Sequence, residues 1–303
     1  MAVTQHNILS IRDMDRDEIN RILASAADFK QGKGTGKELS GKILAVLFFE
    51  PSTRTRMSFS SAMMRLGGDI LNLGSVEATS IAKGETLADT IRVVSGYADA
   101  IVLRHPKEGA ARLASEVATV PVINGGDGAG QHPSQTLLDL FTIQENMPLD
   151  NIDIGLVGDL HYGRTVHSLA FALSKFNNIR IHTIAQPGLD FSDSLKIDLS
   201  EAGVELIHHD DIRECVPELD VLYATRLQKE RFPDPVAFAQ YSSSYRITPE
   251  LLELAKPGMI VLHPLPRVDE IDPRVDQLPC AKYFNQAHNG VPVRMAMLSE
   301  VMQ

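Results

Sequence analysis

One junction constrains the fold of this chain more than any other feature, because an apolar run leads directly into a polar segment that contains arginines. Residues 43–49 are continuously apolar, as expected for a strand that is covered on both faces. Residues 50–56 carry hydroxyls and two guanidinium groups, and helical periodicity follows until Gly67. A helix that begins here presents free N–H groups and the positive end of its dipole, which suit a phosphate dianion. The alternative for so short a segment is an ordinary helix that is capped by Ser52 or Thr53 and carries solvated arginines.

The remainder of the chain alternates apolar runs with helical patterns, which indicates parallel sheets with helices on both faces. A first set of strands is predicted at residues 43–49, 70–73, 100–103 and 120–123. A second set is predicted at residues 152–157, 179–185, 204–207, 221–224 and 259–262. A long helix is predicted between the two sets, at residues 131–145. We therefore predict an α/β fold with two doubly wound parallel-sheet domains, residues 1–146 and 147–289, joined by this helix, and a C-terminal helix at residues 290–303 that crosses back to the first domain.

The composition of the chain is compatible with two domains and argues against nucleic acid and membranes as partners. The 303 residues are 44% hydrophobic, which is enough for two cores. Acidic residues outnumber basic ones by 39 to 29, so nucleic acid and anionic membranes are poor partners. The N-terminus lacks the pattern of a secretion signal and the longest apolar runs are too short to cross a bilayer, so we expect a cytoplasmic protein. The two cysteines, Cys215 and Cys280, lack the spacing of a metal site.

Polar segments follow the predicted strands on the side where ligands bind. In open parallel sheets, ligands bind at the carboxyl ends of the strands. Polar residues stand after predicted strands, or at the start of the long helix, at residues 52–55, 104–106, 131–135, 158–164, 225–228 and 263–267. Any one of these segments could be an ordinary surface loop. Because six of them fall on the same kind of edge, the sequence predicts ligand binding there.

Four of the polar segments match the ordered motifs of a known family. The segments are Ser52-Thr53-Arg54-Thr55-Arg56, Arg104-His105-Pro106, His132-Pro133-Ser134-Gln135 and His263-Pro264-Leu265-Pro266. In order and spacing they resemble the motif set of the carbamoyltransferases, and residues 83–90 and 157–168 resemble the aspartate branch of that family. The resemblance covers essentially the whole chain. It implies transfer of a carbamoyl group from carbamoyl phosphate to the amine of aspartate, the step that commits carbamoyl phosphate to pyrimidine synthesis.

The resemblance also implies which residues bind carbamoyl phosphate. Its phosphate is expected to be held by Ser52, Thr53, Arg54 and Thr55. Its carbonyl oxygen, which gains negative charge during the attack, is expected to be polarised by Thr55, Arg104 and His132. Its nitrogen is expected to be held by Gln135 and by the backbone at Leu265 and Pro266.

For aspartate, the resemblance implies a clamp on the two carboxylates, because two negative groups on a short ligand need two separate guanidinium forks. The clamp is expected to consist of Arg164, Arg226 and Gln228, with Lys83 as a further contact. In the family, one loop reaches the active site of the neighbouring subunit. Ser80 and Lys83 are therefore expected to act in the adjacent chain of a homotrimer with shared active sites. Whether a separate regulatory chain joins the trimers stays open.

We expect neither a metal nor a cofactor. His132 and His263 have no carboxylate or thiol neighbours at the sequence spacing of metal ligands, and the reaction expels a good leaving group without a Lewis acid. The departing phosphate can take the amine proton itself, so orientation is the main contribution that the protein makes. The residues expected to take part in catalysis are Arg54, Thr55, Lys83, Arg104, His132 and Gln135.

Three alternatives stay open at the level of sequence. Ornithine could replace aspartate, although that branch has His-Cys-Leu-Pro where this chain has His263-Pro264-Leu265-Pro266, and the two arginines favour a dicarboxylate. A dinucleotide-binding oxidoreductase is suggested by Gly155 and Gly158, but the GxGxxG spacing is absent. The third alternative is a non-catalytic anion-binding subunit with the same fold, which an assay for carbamoyl aspartate distinguishes.

Overall fold

The computed structural model describes residues 6–74, 83–186, 188–226 and 245–302. The chain falls into two compact units, Met1–Phe141 with Asn289–Gln303 and Thr142–His288. Each unit is built on its own parallel sheet, one of four strands and one of five, so the predicted α/β fold class is confirmed. Within the described ranges, none of the helices has the length and the apolar character that a membrane crossing requires.

The first unit carries the four-stranded sheet. Its strands are β1 (Ile43–Phe48), β2 (Asp69–Asn72), β3 (Ala100–His105) and β4 (Val122–Asp127). Its helices are α1 (Arg16–Lys30), α2 (Thr53–Arg65), α3 (Leu87–Val94), α4 (Ala110–Val117) and the greater part of α5 (Pro133–Gln144). All strand pairs are parallel, in the order β2-β1-β3-β4. The strand order therefore reverses between β1 and β3, and open α/β sheets bind ligands at such a reversal.

The second unit carries the five-stranded sheet. Its strands are β5 (Ile152–Val157), β6 (Ile179–Ile184), β7 (Glu205–His209), β8 (Val221–Ala224) and β9 (Ile260–Leu262). Its helices are α6 (Arg164–Leu173), α7 (Asp193–Glu201), α8 (Ile212–Cys215), α9 (Pro249–Leu252) and the first turns of α10 (Tyr283–Met302). The strands are again all parallel, in the order β7-β6-β5-β8-β9. Here the reversal lies between β5 and β8.

The inner strands of both sheets are covered on both faces, which explains why they read as continuous apolar runs, whereas the edge strands β2 and β7 are partly exposed. All six residues of β5 are buried, as are the last five residues of β1. Tyr223 of β8 and Tyr283 of α10 are fully buried in the second unit. Cys215 lies in the same core, where burial raises the pKa of its thiol to about 12, so it stays protonated and inert at neutral pH.

The C-terminal helix starts earlier than the sequence pattern indicated. The prediction placed it at residues 290–303, whereas α10 begins at Tyr283 and contains Pro292 in its interior. A proline normally stands in the first turn of a helix, which favours a start close to residue 291. The earlier turns form because tertiary contacts hold them: Tyr283 is fully buried, and Lys282 donates its backbone N–H to Val261 O at 3.0 Å. From Asn289 onwards the helix belongs to the first unit, as predicted.

Candidate active site

The predicted anion site lies at the N-terminus of α2, immediately after β1. Ser52 occupies the N-cap position in an extended conformation, but its hydroxyl makes no capping hydrogen bond to the helix. By contrast, Asp15 and Thr86 at the starts of α1 and α3 accept a first-turn N–H. The capped-helix alternative therefore does not describe α2, whose first-turn N–H groups lack that side-chain acceptor. Arg54 is exposed in this first turn.

Arg104 connects three segments at the reversal of the first sheet. Its Nη2 lies 2.6 Å from Glu50 Oε1, in the segment that follows β1. Its Nη1 donates to Gly125 O at 3.1 Å and lies 3.3 Å from His132 Nε2. Because a guanidinium can only donate, His132 Nε2 is the acceptor in this contact. The side chain is 13% exposed, so these interactions operate away from bulk water.

His132 and Gln135 stand at the start of α5, where two polar neighbours orient them. His132 is 4% exposed, and its Nδ1 lies 3.4 Å from Ser134 Oγ. Gln135 donates from Nε2 to Asp139 Oδ1 at 2.8 Å, and Asp139 is fully buried. Because a carboxylate accepts hydrogen bonds, this contact fixes the orientation of the Gln135 amide. Its Oε1 is then the atom that can accept an N–H from a ligand.

The loop that leads to His132 is held by a buried carboxylate. Asp127 accepts hydrogen bonds from Asn124 Nδ2 at 3.0 Å and from the backbone N–H of Gln131 and Gly109, each at 2.9 Å. Gly128 has a φ of +49°, and a Cβ there would lie 2.8 Å from Pro106 O. This position therefore requires glycine, because any side chain would push the loop away from the end of β3.

Arg294 reaches the same region from α10 and was not predicted from the sequence. It is 3% exposed, donates from Nη1 to Gly290 O at 3.1 Å, and lies 5.0 Å from the centre of the Phe59 ring. Its Nη2 lies 3.4 Å from Ser134 Oγ, which in turn faces His132. In the described part of the chain, its Nε has no hydrogen-bond partner. Burial lowers the pKa of Arg294 to about 9, although the nearby charge of Asp139 opposes the shift.

In the second unit, two predicted arginines follow the strands that flank the reversal. Arg164 is the first residue of α6, after β5, and Arg226 follows β8 by two residues. The two strands are neighbours, and their ends are joined by a hydrogen bond from Thr225 N to Val157 O at 2.9 Å. Gly158 has a φ of +120°, and a Cβ there would collide with Thr225 Oγ1. This glycine permits the close approach of the two strand ends, which is a structural reason for its presence without a bound dinucleotide.

The remaining predicted residues lie after β9, in the loop before α3, or outside the described ranges. His263, Leu265 and Pro266 follow β9, the neighbour of β8. His263 is buried, Leu265 is half-buried and Pro266 is exposed. Lys83 is exposed at the beginning of a described range. Ser80 and Gln228 lie outside the described residues, so their predicted roles stay predictions.

Three residues of the first-unit site had weak signals in the sequence. Asp139 follows Gln135 by four positions on a helix, which places the two side chains on one face. Arg294 is the only charged residue in the apolar periodic stretch 291–299. Glu50 is an acidic residue between the strand and the arginine-containing segment. None of these signals identifies a partner without the fold.

Comparisons with known proteins agree along the full length of the chain. Residues 6–145 match the family model described as aspartate/ornithine carbamoyltransferase, carbamoyl-P binding domain. Residues 150–301 match the model of the Asp/Orn binding domain of the same family. The sequence is 78% identical, over 302 residues and 100% of both chains, to the aspartate carbamoyltransferase catalytic subunit of Methanocorpusculum labreanum. It is 67% identical to that of Methanospirillum hungatei, with 98% of this chain and 99% of the relative covered.

Solved structures give the same result. The catalytic subunit of M. jannaschii aspartate transcarbamoylase is similar with a TM-score of 0.92 and 50% identity, covering 98% of this chain and 97% of that one. Aspartate transcarbamoylase from Trypanosoma cruzi, in complex with N-(phosphonacetyl)-L-aspartic acid, has a TM-score of 0.92 and 40% identity, covering 100% of this chain and 98% of that one.

Proposed function

Because the chain belongs to the aspartate/ornithine carbamoyltransferase family, we propose that it transfers the carbamoyl group of carbamoyl phosphate to the amine of L-aspartate. The products are N-carbamoyl-L-aspartate and phosphate, and the reaction commits carbamoyl phosphate to pyrimidine synthesis. The observation that carries this proposal is the placement of two arginines after adjacent strands where the sheet order reverses: Arg164 begins the helix that follows β5, and Arg226 lies two residues beyond β8. Two guanidinium groups at a reversal suit a small dicarboxylate.

Carbamoyl phosphate binds to the first unit in this proposal. The N–H groups at the start of α2, with the hydroxyls of Ser52, Thr53 and Thr55 and the guanidinium of Arg54, hold the phosphate oxygens. Arg104 and His132, already in contact with each other, stand at the carbonyl oxygen. Gln135 turns its Oε1 to the carbamoyl nitrogen because its own amide nitrogen is held by Asp139.

The chemistry then follows from where charge develops. When the amine of aspartate attacks the carbamoyl carbon, the carbonyl oxygen gains negative charge, and fixed donors stabilise it most in the transition state. The bond between that carbon and the bridging phosphate oxygen breaks, and the leaving phosphate takes the proton that the amine loses. Arg54 neutralises the phosphate as it departs, so the protein supplies orientation and electrostatic stabilisation.

The acceptor is aspartate because the second unit offers positive charge to a dicarboxylate. Arg164 and Arg226, together with Gln228, hold its two carboxylates. Ornithine presents one carboxylate and a cationic side chain, which two arginines repel. The purified protein is therefore expected to form carbamoyl aspartate and to leave ornithine unchanged. Equal rates with both amines would exclude this assignment.

The variant Arg226→Ala tests whether aspartate and carbamoyl phosphate depend on different residues. We expect kcat/KM for aspartate to fall about a hundredfold or more, because a charge-assisted contact to a carboxylate is lost. The dissociation constant of carbamoyl phosphate is expected to stay nearly unchanged. Isothermal titration with carbamoyl phosphate and initial rates with varied aspartate measure the two effects. Arg213→Ala, which removes an exposed arginine of α8 paired with Asp211, is the matched control and should change neither quantity. Parallel loss of both affinities in Arg226→Ala would contradict the assigned role.

Arg294→Met tests whether a buried charge is retained for activity. Burying a guanidinium with an unsatisfied Nε is costly, but the charge of Arg294 also compensates the fully buried Asp139, so replacement by an apolar residue should lower the thermal unfolding midpoint. Loss of the contact to Ser134 loosens the neighbour of His132, and we expect kcat to fall about ten- to a hundredfold. Calorimetry and steady-state kinetics provide both readouts. Arg21→Met, at an exposed pair with Glu300, is the control for charge removal. A lower midpoint with unchanged kcat would assign Arg294 to the fold alone.

The proposed assembly extends beyond one chain. The relatives are named catalytic subunits, which is consistent with a larger complex. We propose a homotrimer in which Ser80 and Lys83 act in the active site of the neighbouring chain, and the trimers can associate with a separate regulatory chain. Size measurement of the complex from its native source tests the regulatory partner. A complex that contains this chain alone would exclude it.

A further inference from the structure

We propose that His263 is a positioning residue, whose ring holds the backbone at Leu265 in the conformation that receives the nitrogen of carbamoyl phosphate. This inference rests on the proposed function, since it explains how that backbone distinguishes a carbamoyl group from other acyl groups. His263 follows β9 and its side chain is 1% exposed. Its backbone N–H donates to Gln286 Oε1 of α10 at 2.9 Å, so the residue is anchored between a strand and a helix.

The ring of His263 bridges a backbone donor and a carboxylate. Its Nδ1 accepts the backbone N–H of Leu265 at 2.8 Å, and its Nε2 lies 2.8 Å from Glu270 Oε1. A backbone N–H can only donate and an ionised carboxylate can only accept. The proton is therefore on Nε2, and Nδ1 keeps the lone pair that holds Leu265. The sequence did not indicate Glu270 as the partner of His263, because the two meet only when the loop folds back over seven residues.

Glu270 is in turn fixed by the loop that it closes. Its Oε2 accepts the backbone N–H groups of Val268 and Asp269, each at 3.0 Å. Its own carbonyl accepts the N–H of Ile247 at 2.9 Å. Burial alone would raise the pKa of Glu270, but the hydrogen bonds from His263 and the loop backbone hold that pKa below its ordinary value. The carboxylate therefore stays ionised at neutral pH and keeps the ring in place.

Leu265 needs this support because its backbone adopts a rare conformation. Its φ is +53°, in the left-handed region that residues other than glycine seldom occupy. Such a conformation persists only where the surroundings determine it. On the other side of Pro266, Arg267 bonds to Asp276 and lies 5.2 Å from the centre of the Tyr283 ring. The segment Leu265 to Pro266 is therefore held on both sides, by His263 before it and by Arg267 after it.

The chemical consequence is selectivity for the carbamoyl group. A backbone carbonyl at this segment can accept an N–H from the carbamoyl nitrogen of carbamoyl phosphate. Acetyl phosphate has a methyl group in that place and makes no such hydrogen bond, although its phosphate and carbonyl are the same. If the backbone at Leu265 is loosened, carbamoyl phosphate should lose affinity while acetyl phosphate and inorganic phosphate do not.

Two variants of equal size test the ring contact. In His263→Asn, the side-chain oxygen can accept the N–H two residues later, as in an Asx-turn. His263→Leu has nearly the same shape but no acceptor. Both variants lose the contact to Glu270. The difference between their affinities for carbamoyl phosphate therefore measures the effect of the hydrogen bond to Leu265. We expect His263→Leu to weaken carbamoyl phosphate about five- to tenfold, with acetyl phosphate and phosphate changed less than about twofold. His263→Asn should recover most of the loss.

The readouts are dissociation constants for carbamoyl phosphate, acetyl phosphate and inorganic phosphate, measured by titration on the assembled protein. A parallel loss of all three ligands, or identical behaviour of the Asn and Leu variants, would overturn the proposal. If neither variant folds, Glu270→Gln is tested instead. The amide nitrogen of glutamine cannot accept the N–H groups of Val268 and Asp269 as the carboxylate of Glu270 does. The ratio of the affinities of this variant for carbamoyl phosphate and acetyl phosphate is expected to fall. An unchanged ratio would also overturn the proposal. Turnover of aspartate by the unmodified protein is measured first, so failure of the proposed function is recognised separately.

Discussion

Arg54→Ala is expected to lower kcat by about three orders of magnitude or more, while the protein stays folded. Arg54 is exposed in the first turn of α2, so its removal leaves no cavity and no buried partner. In the proposed function its charge neutralises the leaving phosphate, an interaction that would strengthen as the bond to the carbamoyl carbon breaks. The KM for aspartate should change much less than kcat, because the aspartate clamp belongs to other residues.

Arg56 provides the matched control for this prediction. It lies two residues further along the same helix and is also exposed, but the helical rotation turns it to another side. Arg56→Ala removes the same charge from the same element and should keep kcat within about threefold of the unmodified protein. Steady-state rates with both substrates saturating, together with circular dichroism, separate loss of catalysis from loss of fold. Equal losses in the two variants would mean that the general charge of α2 matters and the position of Arg54 does not.

The fold was predictable because most of its strands are buried, but the positions of the strand ends were not predictable. The apolar runs predicted strands at residues 100–103 and 120–123, whereas β3 continues to His105 and β4 runs from Val122 to Asp127. Backbone pairing does not depend on side-chain polarity: Phe48 pairs with Arg104 in the same register as the apolar residues before them. The hydrophobic pattern therefore ends where the polar residues begin, although the strand continues through them.

Individual residues of the site could also be predicted from the sequence, whereas the contacts between them could not. Arg104 and His132 could be selected from sequence because polar residues that follow buried strands share one edge of a sheet. Their contact at 3.3 Å could not, since it depends on how two separate strands and a helix start pack together. Arg294 and Ser134 are 160 positions apart, and no local pattern connects them. Periodicity identifies which face of an element is buried, and it carries no information about which buried polar groups meet.

Mixing two nearly inactive variants is expected to restore activity if active sites are shared between chains of a trimer. Arg54→Ala lacks the residue that we propose to hold the phosphate within its own chain. Lys83→Ala lacks the ammonium that the family resemblance assigns to the neighbouring chain, and Lys83 is exposed. In a hybrid ring, one interface joins the intact Arg54 of one chain to the intact Lys83 of the next.

The expected size of the effect follows from the geometry of a ring. With equal amounts and random assembly, about three quarters of the trimers are hybrids, and each hybrid contains one complete site among three. Mixing should therefore restore about a quarter of the activity of the unmodified protein, from parents that are each nearly inactive. The measurement is the rate of carbamoyl aspartate formation after dissociation, mixing and reassembly, with hybrids separated by a charge tag on one variant.

The double variant Arg54→Ala with Lys83→Ala distinguishes sharing from a trivial effect of mixing. Combined with the Arg54→Ala chain, it forms hybrids of the same size that contain no intact Arg54, so their activity must stay at the level of the parents. Activity in the test mixture should rise with the fraction of hybrids and vanish in this control. If isolated hybrids of the two single variants are as inactive as their parents, Lys83 acts within its own chain or not at all. Such a result would remove the reason to propose a shared site. Arg54 and the N-terminus of α2 would then be the groups proposed to bind the phosphate.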